Sequence, residues 1–375
     1  MKPVKHSHLP TEENLKAEIQ EAVNTVIDRG DFVLGHEVYS FEEACCEYLG
    51  AKHCFGLNSG TDAVRFALIA LGISSGDEVI TSPFCFVSNA EAIALEGATP
   101  VFADIDPQTF NISPAAIEAA ITPRTRAVLP VHMYGHPADM DAIKQICSRH
   151  GLAVIEDACQ AFGSMLPASE NTAAASRMVG GDSMFAAFSF FHTKPLGAYG
   201  DAGMLTTNDD GFAEKIRMLR NHGSSKRYYH DEIGCSSRLD TIQAAVLLTQ
   251  LKYFEHKIES VRRHAAVLGK ELDGIGDIII PHEAAEYRHN YNLYTIRTSR
   301  RNELLDDLQS RGIKCSVAFP LSIHLQKSFA HLGHSRGDYP ESEKAQDKIL
   351  CLTIDPYWSE GHITKIVDEI KDFFG

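Results

Sequence analysis

Between residues 50 and 210, short apolar runs alternate with helical patterns, and this alternation limits the fold more than any other feature of the chain. Glu78–Thr81, Pro100–Ala103, Ala127–Val131 and Ala153–Glu156 read as strands. Ala90–Leu95, Pro114–Ile121 and Met140–His150 read as the helices between them. Strands spaced by helices imply βαβ units and a mostly parallel sheet covered on both faces. Ligands of such sheets bind at the carboxyl ends of the strands. Functional residues are therefore expected just after the apolar runs.

The chain has 375 residues, more than one small core needs, so a second domain is expected. A helical pattern with few breakers runs from Leu239 to Leu272 and should bridge the two. The division is placed at 1–245 for a large α/β domain and 246–375 for a smaller α+β domain, whose last helix is Glu360–Phe374. The Ala- and Ser-rich stretch Met165–Gly180 lacks a period and reads as a surface loop. The net charge of −15 argues against non-specific binding to nucleic acid or an anionic membrane. No apolar run approaches the roughly 18 residues of a span, and the first residues lack a secretory apolar stretch. The nine cysteines include no CxxC pair, which suits free thiols and a cytoplasmic protein.

Four groups carry chemistry. Asn58-Ser59-Gly60-Thr61-Asp62-Ala63 follows the apolar run His53–Leu57 and opens a helical pattern. A strand, a small-residue turn and a helix start bring free N–H groups and the positive helix end to one point, which suits phosphate. The competing reading is a plain Ser/Thr N-cap. Glu156-Asp157-Ala158-Cys159-Gln160 ends a buried strand, and a buried carboxylate needs a partner. A protonated ring nitrogen would serve, as would a helix cap. No His/Cys/Asp cluster with ligand spacing lies nearby, so no metal is expected. Lys194 follows the aromatic run Phe188–Phe191 and precedes three glycines, Gly197, Gly200 and Gly203. A desolvated lysine beside another cationic group is a nucleophile, although most lysines are simply solvated. Phe86, after Pro83-Phe84-Cys85, can stack on a flat ring or pack in the core.

Together these pieces resemble the DegT/DnrJ-type sugar aminotransferases, a branch of the fold-type-I pyridoxal-phosphate (PLP) enzymes. The likeness spans nearly the whole chain. It includes Gly30–Gly35 with Phe41-Glu42-Glu43, Asn58–Ala63, Pro130–Met140, Glu156–Gln160, the Lys194 segment and Arg238–Ala245. It implies a fold-type-I α/β architecture and a homodimer with shared sites. By the same resemblance, Lys194 is the Schiff-base lysine and Asp157 faces the pyridinium nitrogen. Gln160 lies near the cofactor's 3-hydroxyl, Gly60, Thr61 and Ser189 hold the phosphate, and Phe86 stacks on the ring. The implied reaction moves an amino group from L-glutamate to a nucleotide-linked ketosugar, with Arg238 and His324 as substrate contacts.

The chain departs from the family pattern in places. Ser236 stands where the family often has an Asn that reaches the cofactor phosphate across the dimer. Pro195 follows the lysine where Asn is common, and Ala318-Phe319-Pro320 replaces a His-Tyr-Pro stretch. Two other activities are compatible with such a chain. PLP-dependent sugar dehydratases of the family carry His in place of the lysine, and His192 is two residues out of position for that role. A non-catalytic regulatory protein could keep the fold and lose parts of the site.

Overall fold

The computed structural model describes residues 9–168 and 176–375. Two helices come first, α1 (Glu12–Arg29) and α2 (His36–Leu49). The α/β unit follows as β1 (His53–Leu57), α3 (Gly60–Ala70), β2 (Glu78–Thr81), α4 (Ser88–Leu95), β3 (Thr99–Phe102), α5 (Pro114–Ala120), β4 (Thr125–Leu129), α6 (Met140–His150) and β5 (Ala153–Asp157). A short hairpin, β6 (Met165–Pro167) and β7 (Ser176–Met178), precedes β8 (Phe185–Ser189), β9 (Gly203–Thr207) and α7 (Asp210–Leu219). A second small hairpin, β10 (Ser224–Lys226) and β11 (Tyr229–His230), leads to α8 (Thr241–Leu251) and α9 (Phe254–Leu272).

The main sheet has seven strands in the order β1-β9-β8-β5-β4-β2-β3. Only β9 runs against the others, pairing antiparallel with both β1 and β8. The expected mostly parallel sheet is therefore present. Its strands are apolar on both faces because both faces are covered. Ile80, Val128, Ala186 and Phe188 pack on one side with Phe41 and Leu247. Their neighbours Val79, Ala127, Leu129, Phe185 and Ala187 pack on the other with Phe66 and Leu68. The alternation follows from the two-residue period of a strand.

The C-terminal part is built from β12 (Tyr294–Arg297), α10 (Arg301–Ser310), β13 (Cys315–Ser316), α11 (Pro340–Lys348), β14 (Ile349–Leu352) and α12 (Glu360–Phe374). Its three strands form an antiparallel sheet in the order β12-β14-β13. Leu268 and Leu272 of α9 pack there with Ile296, Leu350 and Ile370. Phe254 and Ile258, at the other end of α9, belong to the large core. One helix thus crosses between the two cores.

Two sequence expectations need correction. The single pattern Leu239–Leu272 is two helices, broken at Lys252 and Tyr253. Tyr253 is buried against Leu15 and Ile19 of α1, and its hydroxyl donates to Glu18 at 2.7 Å. Its N–H bonds three residues back, to the Gln250 carbonyl, which tightens the turn and ends α8. The Met165–Gly180 stretch is not all loop, because its ends pair as β6 and β7, Leu166 opposite Arg177. Arg177 anchors the pair by donating to the Pro167 carbonyl, Asp182 and Asp141. Residues 169–175 of that stretch lie outside the described residues.

Candidate active site

Three strand ends build the site: β1 leads into α3, β5 ends at Asp157, and β8 ends at Ser189. At the first, Ser59 caps α3 by accepting from the Asp62 N–H at 3.1 Å. The first backbone bond of the helix runs from Ala63 N–H to the Ser59 carbonyl. The N–H groups of Gly60 and Thr61 precede that bond, at the positive end of the helix dipole. The cap is therefore present, and the anion-site reading is compatible with it. Gly60 is fixed by crowding: a Cβ there would lie 2.7 Å from Cys159 Sγ and 3.0 Å from Ser189 Cβ. The phosphate-type loop, the strand end at Ser189 and the turn after Asp157 are thus in direct contact.

Asp157 is 7% exposed, so its charge needs compensation. Asn89 Nδ2, from α4, donates to Oδ2 at 2.7 Å, and the Cys159 N–H donates to Oδ1 at 3.0 Å. Among the described residues no lysine, arginine or histidine forms an ion pair with it. Asn89 is itself buried, and its Oδ1 has no hydrogen-bond partner. A buried carboxylate held by neutral donors fits a protonated pyridine nitrogen as its missing cation. The adjacent Glu156 points elsewhere. It is fully buried and is bonded to His132 Nε2, the Gly180 N–H and the Ser183 hydroxyl. Burial pushes its pKa up, but His132, Lys144 and Ser183 outweigh it and hold the carboxyl below its ordinary value. His132 Nδ1 accepts from the Ala138 N–H at 2.9 Å, so the ring proton lies on Nε2, toward Glu156.

Lys194 lies in the loop between β8 and β9. Its N–H donates to the Phe191 carbonyl at 2.8 Å, which turns the chain just after the strand. Burial, reinforced by Asp157, pushes the Cys159 thiol well above its ordinary pKa, and the Lys194 charge opposes that shift. Cys159, Gly60, Ser189 and Asp157 are therefore close neighbours, and the Lys194 charge acts on the Cys159 thiol among them. The Lys194 loop also borders a cavity of about 480 Å³ shared with Lys257, Asn290, Asn292 and Tyr357. Burial lowers the Lys257 pKa to about 8. Gln160 is 6% exposed, and its Oε1 accepts from the Tyr134 N–H at 3.1 Å and from Asn292 at 3.5 Å. Tyr134 has φ 56°, a strained value for a non-glycine residue, at the turn that Gln160 supports.

Of the remaining predicted residues, Arg238 borders the start of α3, sharing a cavity with Asn58 and Ser59. Phe86 is 58% exposed, with its ring 6.3 Å from that of Phe319. Ser236 is exposed and accepts from Arg238 at 2.6 Å; Arg238 also donates to Asn221 at 2.7 Å. Arg238 lines a separate cavity of about 490 Å³ with Asn58, Ser59, Asp201, Asp240 and Gln243. His324 is buried, bonded to Glu343 at 3.1 Å and set edge-on to Tyr339. It is not among the residues lining the Lys194 cavity. Sequence reasoning missed Asn89 and Lys257. Asn89 carried a signal, a lone amide in the first turn of a mainly apolar helix, but Lys257 looked like any solvated lysine.

Comparisons with known proteins agree with this geometry. The DegT/DnrJ/EryC1/StrS aminotransferase family matches residues 13–371. A protein of Geobacillus stearothermophilus named pleiotropic regulatory protein is 44% identical over 96% of both chains. The dTDP-3-amino-3,4,6-trideoxy-alpha-D-glucose transaminase of Streptomyces venezuelae is 38% identical, covering 96% of this chain and 93% of its own. A UDP-2-acetamido-2-deoxy-3-oxo-D-glucuronate aminotransferase of Pseudomonas aeruginosa is 39% identical over 92% of both. Among solved structures, S. venezuelae DesV in complex with a ketimine intermediate superposes with TM-score 0.92 at 38% identity, covering 96% of this chain and 95% of its own. NtdA of Bacillus subtilis, solved with bound cofactor PMP, gives 0.86 at 28% identity, covering 100% and 87%. The chain belongs to the DegT/DnrJ/EryC1/StrS aminotransferase family and is, like the rest of that family, PLP-dependent.

Proposed function

We propose that the protein transfers an amino group from L-glutamate to a nucleotide-linked ketosugar, in the cytoplasm, as a homodimer. The observation that carries this reading is the buried Asp157 carboxylate, held by Asn89 and the Cys159 N–H and, among the described residues, without an ionic partner, next to the Cys159 and Ser189 side chains that crowd the Gly60 helix start. Bound PLP supplies an electron sink for a carbanion at the amino donor's α-carbon. Asp157 would keep the ring nitrogen protonated, and the N–H groups of Gly60 and Thr61, with the Ser189 hydroxyl, would hold the phosphate. Lys194 Nζ would hold the cofactor covalently and, once displaced, take the proton from the donor's α-carbon and later return it. Gln160 is assigned to the cofactor's 3-hydroxyl side, and Phe86 to the ring face.

The substrate side rests on the relatives, whose names include dTDP-sugar and UDP-sugar aminotransferases. Arg238, with two neutral partners and an open cavity beside it, is the candidate diphosphate contact, and Ser236 is assigned to the cofactor phosphate across the dimer. His324 stays a proposed substrate contact only for a form in which it leaves Glu343 and Tyr339. The dimer would cover the exposed apolar side chains of residues 32–39 and 228–233, among them Val33, Tyr39, Tyr228 and Ile233.

Mixing the PLP form with L-glutamate alone tests the reading. Conversion to the pyridoxamine form with release of 2-oxoglutarate is expected, followed by return to the PLP form on addition of a nucleotide-linked 3-keto- or 4-ketohexose. A protein that binds PLP but never converts would be a regulator. Deoxygenation of the sugar without glutamate consumption would identify a dehydratase.

A further inference from the structure

The loop after Lys194 leaves a precise set of backbone groups to be satisfied. Its base is closed by its own chain: Ala198 N–H bonds to the Phe190 carbonyl and Phe190 N–H to the Ala202 carbonyl, each at 2.8 Å. The Gly197 carbonyl, which is buried, and both backbone groups of Tyr199, which lie at the surface, find partners outside the loop; a buried backbone group left unpaired costs about 1–3 kcal/mol. Two glutamines of α8 take them. Gln243 Oε1 accepts from the Tyr199 N–H at 2.8 Å, and its Nε2 donates to the Tyr199 carbonyl at 3.3 Å. Gln250 Nε2 donates to the Gly197 carbonyl at 2.5 Å. The two glutamines are seven residues apart, two helical turns, and so share one face of α8.

The second glutamine is oriented from behind. Lys257 Nζ donates to Gln250 Oε1 at 3.0 Å. An ammonium has donors and no acceptor, so the amide must turn its oxygen to Lys257 and its nitrogen to Gly197. Lys257 sits one turn into α9, past the break at Lys252 and Tyr253. The amine that orients Gln250 thus comes from the second helix, just past the break.

We propose that Gln243, Gln250 and Lys257 form a clamp that positions the Lys194 loop, so that Lys194 Nζ is held where the proton transfers require it. This rests on the assignment of Lys194 as the catalytic lysine, but the clamp itself can be tested without catalysis. The three are positioning residues, acting only through the Lys194 loop.

Amide hydrogen exchange of the PLP-bound protein reads the clamp directly. In Gln243→Ala the Tyr199 amide should exchange about tenfold faster, the equivalent of one hydrogen bond. In Gln243→Glu a carboxylate oxygen still accepts from that N–H, so protection of Tyr199 should be kept. Gln250→Glu should do the opposite and loosen residues 195–199, because a carboxylate cannot donate to the Gly197 carbonyl. Rates supply the second reading. Gln243→Ala and Gln250→Glu should lower kcat by about 10- to 100-fold, with KM for the acceptor within about threefold, as misplacement of a catalytic group does. The pH titration of the bound cofactor's visible absorbance should move as well. Unchanged Tyr199 exchange in Gln243→Ala would overturn the clamp. So would a loosened loop with unchanged kcat and an unchanged absorbance titration, which is the result of a purely structural role. Loss of turnover in Lys194→Arg with normal Tyr199 exchange leaves the clamp standing, whereas full turnover in that variant removes the assignment of Lys194 and not the clamp.

Discussion

At the scale of single residues, the site depends on neutral donors around a buried charge. Asn89 is the clearest case. Replacing it with Ala removes the 2.7 Å bond to Asp157 Oδ2 and leaves one carboxylate oxygen short of a donor in a buried setting. The cost to stability should be about 1–3 kcal/mol, and PLP affinity should change as well, measurable by cofactor titration. Gly60 makes a second prediction. Gly60→Ala would drive a Cβ against Cys159 Sγ at 2.7 Å and Ser189 Cβ at 3.0 Å. PLP should bind at least about tenfold more weakly, in line with the 1–3 kcal/mol that overpacking costs. Adding Cys159→Ala removes the closer contact and should recover part of the loss; no recovery would show that the damage lies elsewhere.

At the scale of elements, the strands and the motifs behind them were legible because each is a local pattern. Glu78–Thr81 and Ala153–Asp157 are buried on both faces, so they read as apolar runs, and their functional residues follow at once in the chain. The clamp was not legible. Gln243, Gln250 and Lys257 act on a loop some fifty residues earlier, from either side of a helix break, and a helical pattern with few breakers hides that break. His324 was legible only through the family resemblance, and its burial between Glu343 and Tyr339 is a tertiary fact that the sequence does not carry.

The segment before β12 carries a pH prediction at the same scale. His136 Nδ1 donates to the Pro137 carbonyl, and its Nε2 accepts from the Ala284 N–H at 3.2 Å. Burial, the largest cause, lowers its pKa from 6.5 to about 4. Below 6.5 the unfolded chain binds a proton that the folded chain refuses. Stability is therefore full above that pH and falls as pH drops toward 4, by on the order of 3 kcal/mol. Burial lowers His289 in the same direction. Denaturant titrations at pH 7 and pH 4.5 should show this decline, and His136→Asn should flatten it; an equal slope in the variant would contradict the assignment.

At the scale of the whole molecule, the two parts are joined through α9 and through a shared apolar cluster in which Phe84, Phe110 and Tyr134 pack with Ile323, Phe329 and Ile349. A division at 245/246 follows from the sequence, but Leu247, Phe254 and Ile258 still pack in the large core. We therefore place the hand-over inside α9. The assembly is also open to measurement. Light scattering should give twice the chain mass of 41.3 kDa, and Ile233→Asp, at a side chain 95% exposed in one chain, should shift it toward the single-chain value. An unchanged dimer would show that the 228–233 segment lies outside the interface.

The central claim is that Lys194 holds the cofactor. Borohydride reduction of the PLP-loaded protein, followed by peptide mass spectrometry, tests it most directly, because Lys257 lines the same cavity with a pKa lowered to about 8 and is a second amine able to react. The reduced phosphopyridoxyl group should be found on Lys194 and absent from Lys257. A label on Lys257, or on no lysine at all, would contradict the account.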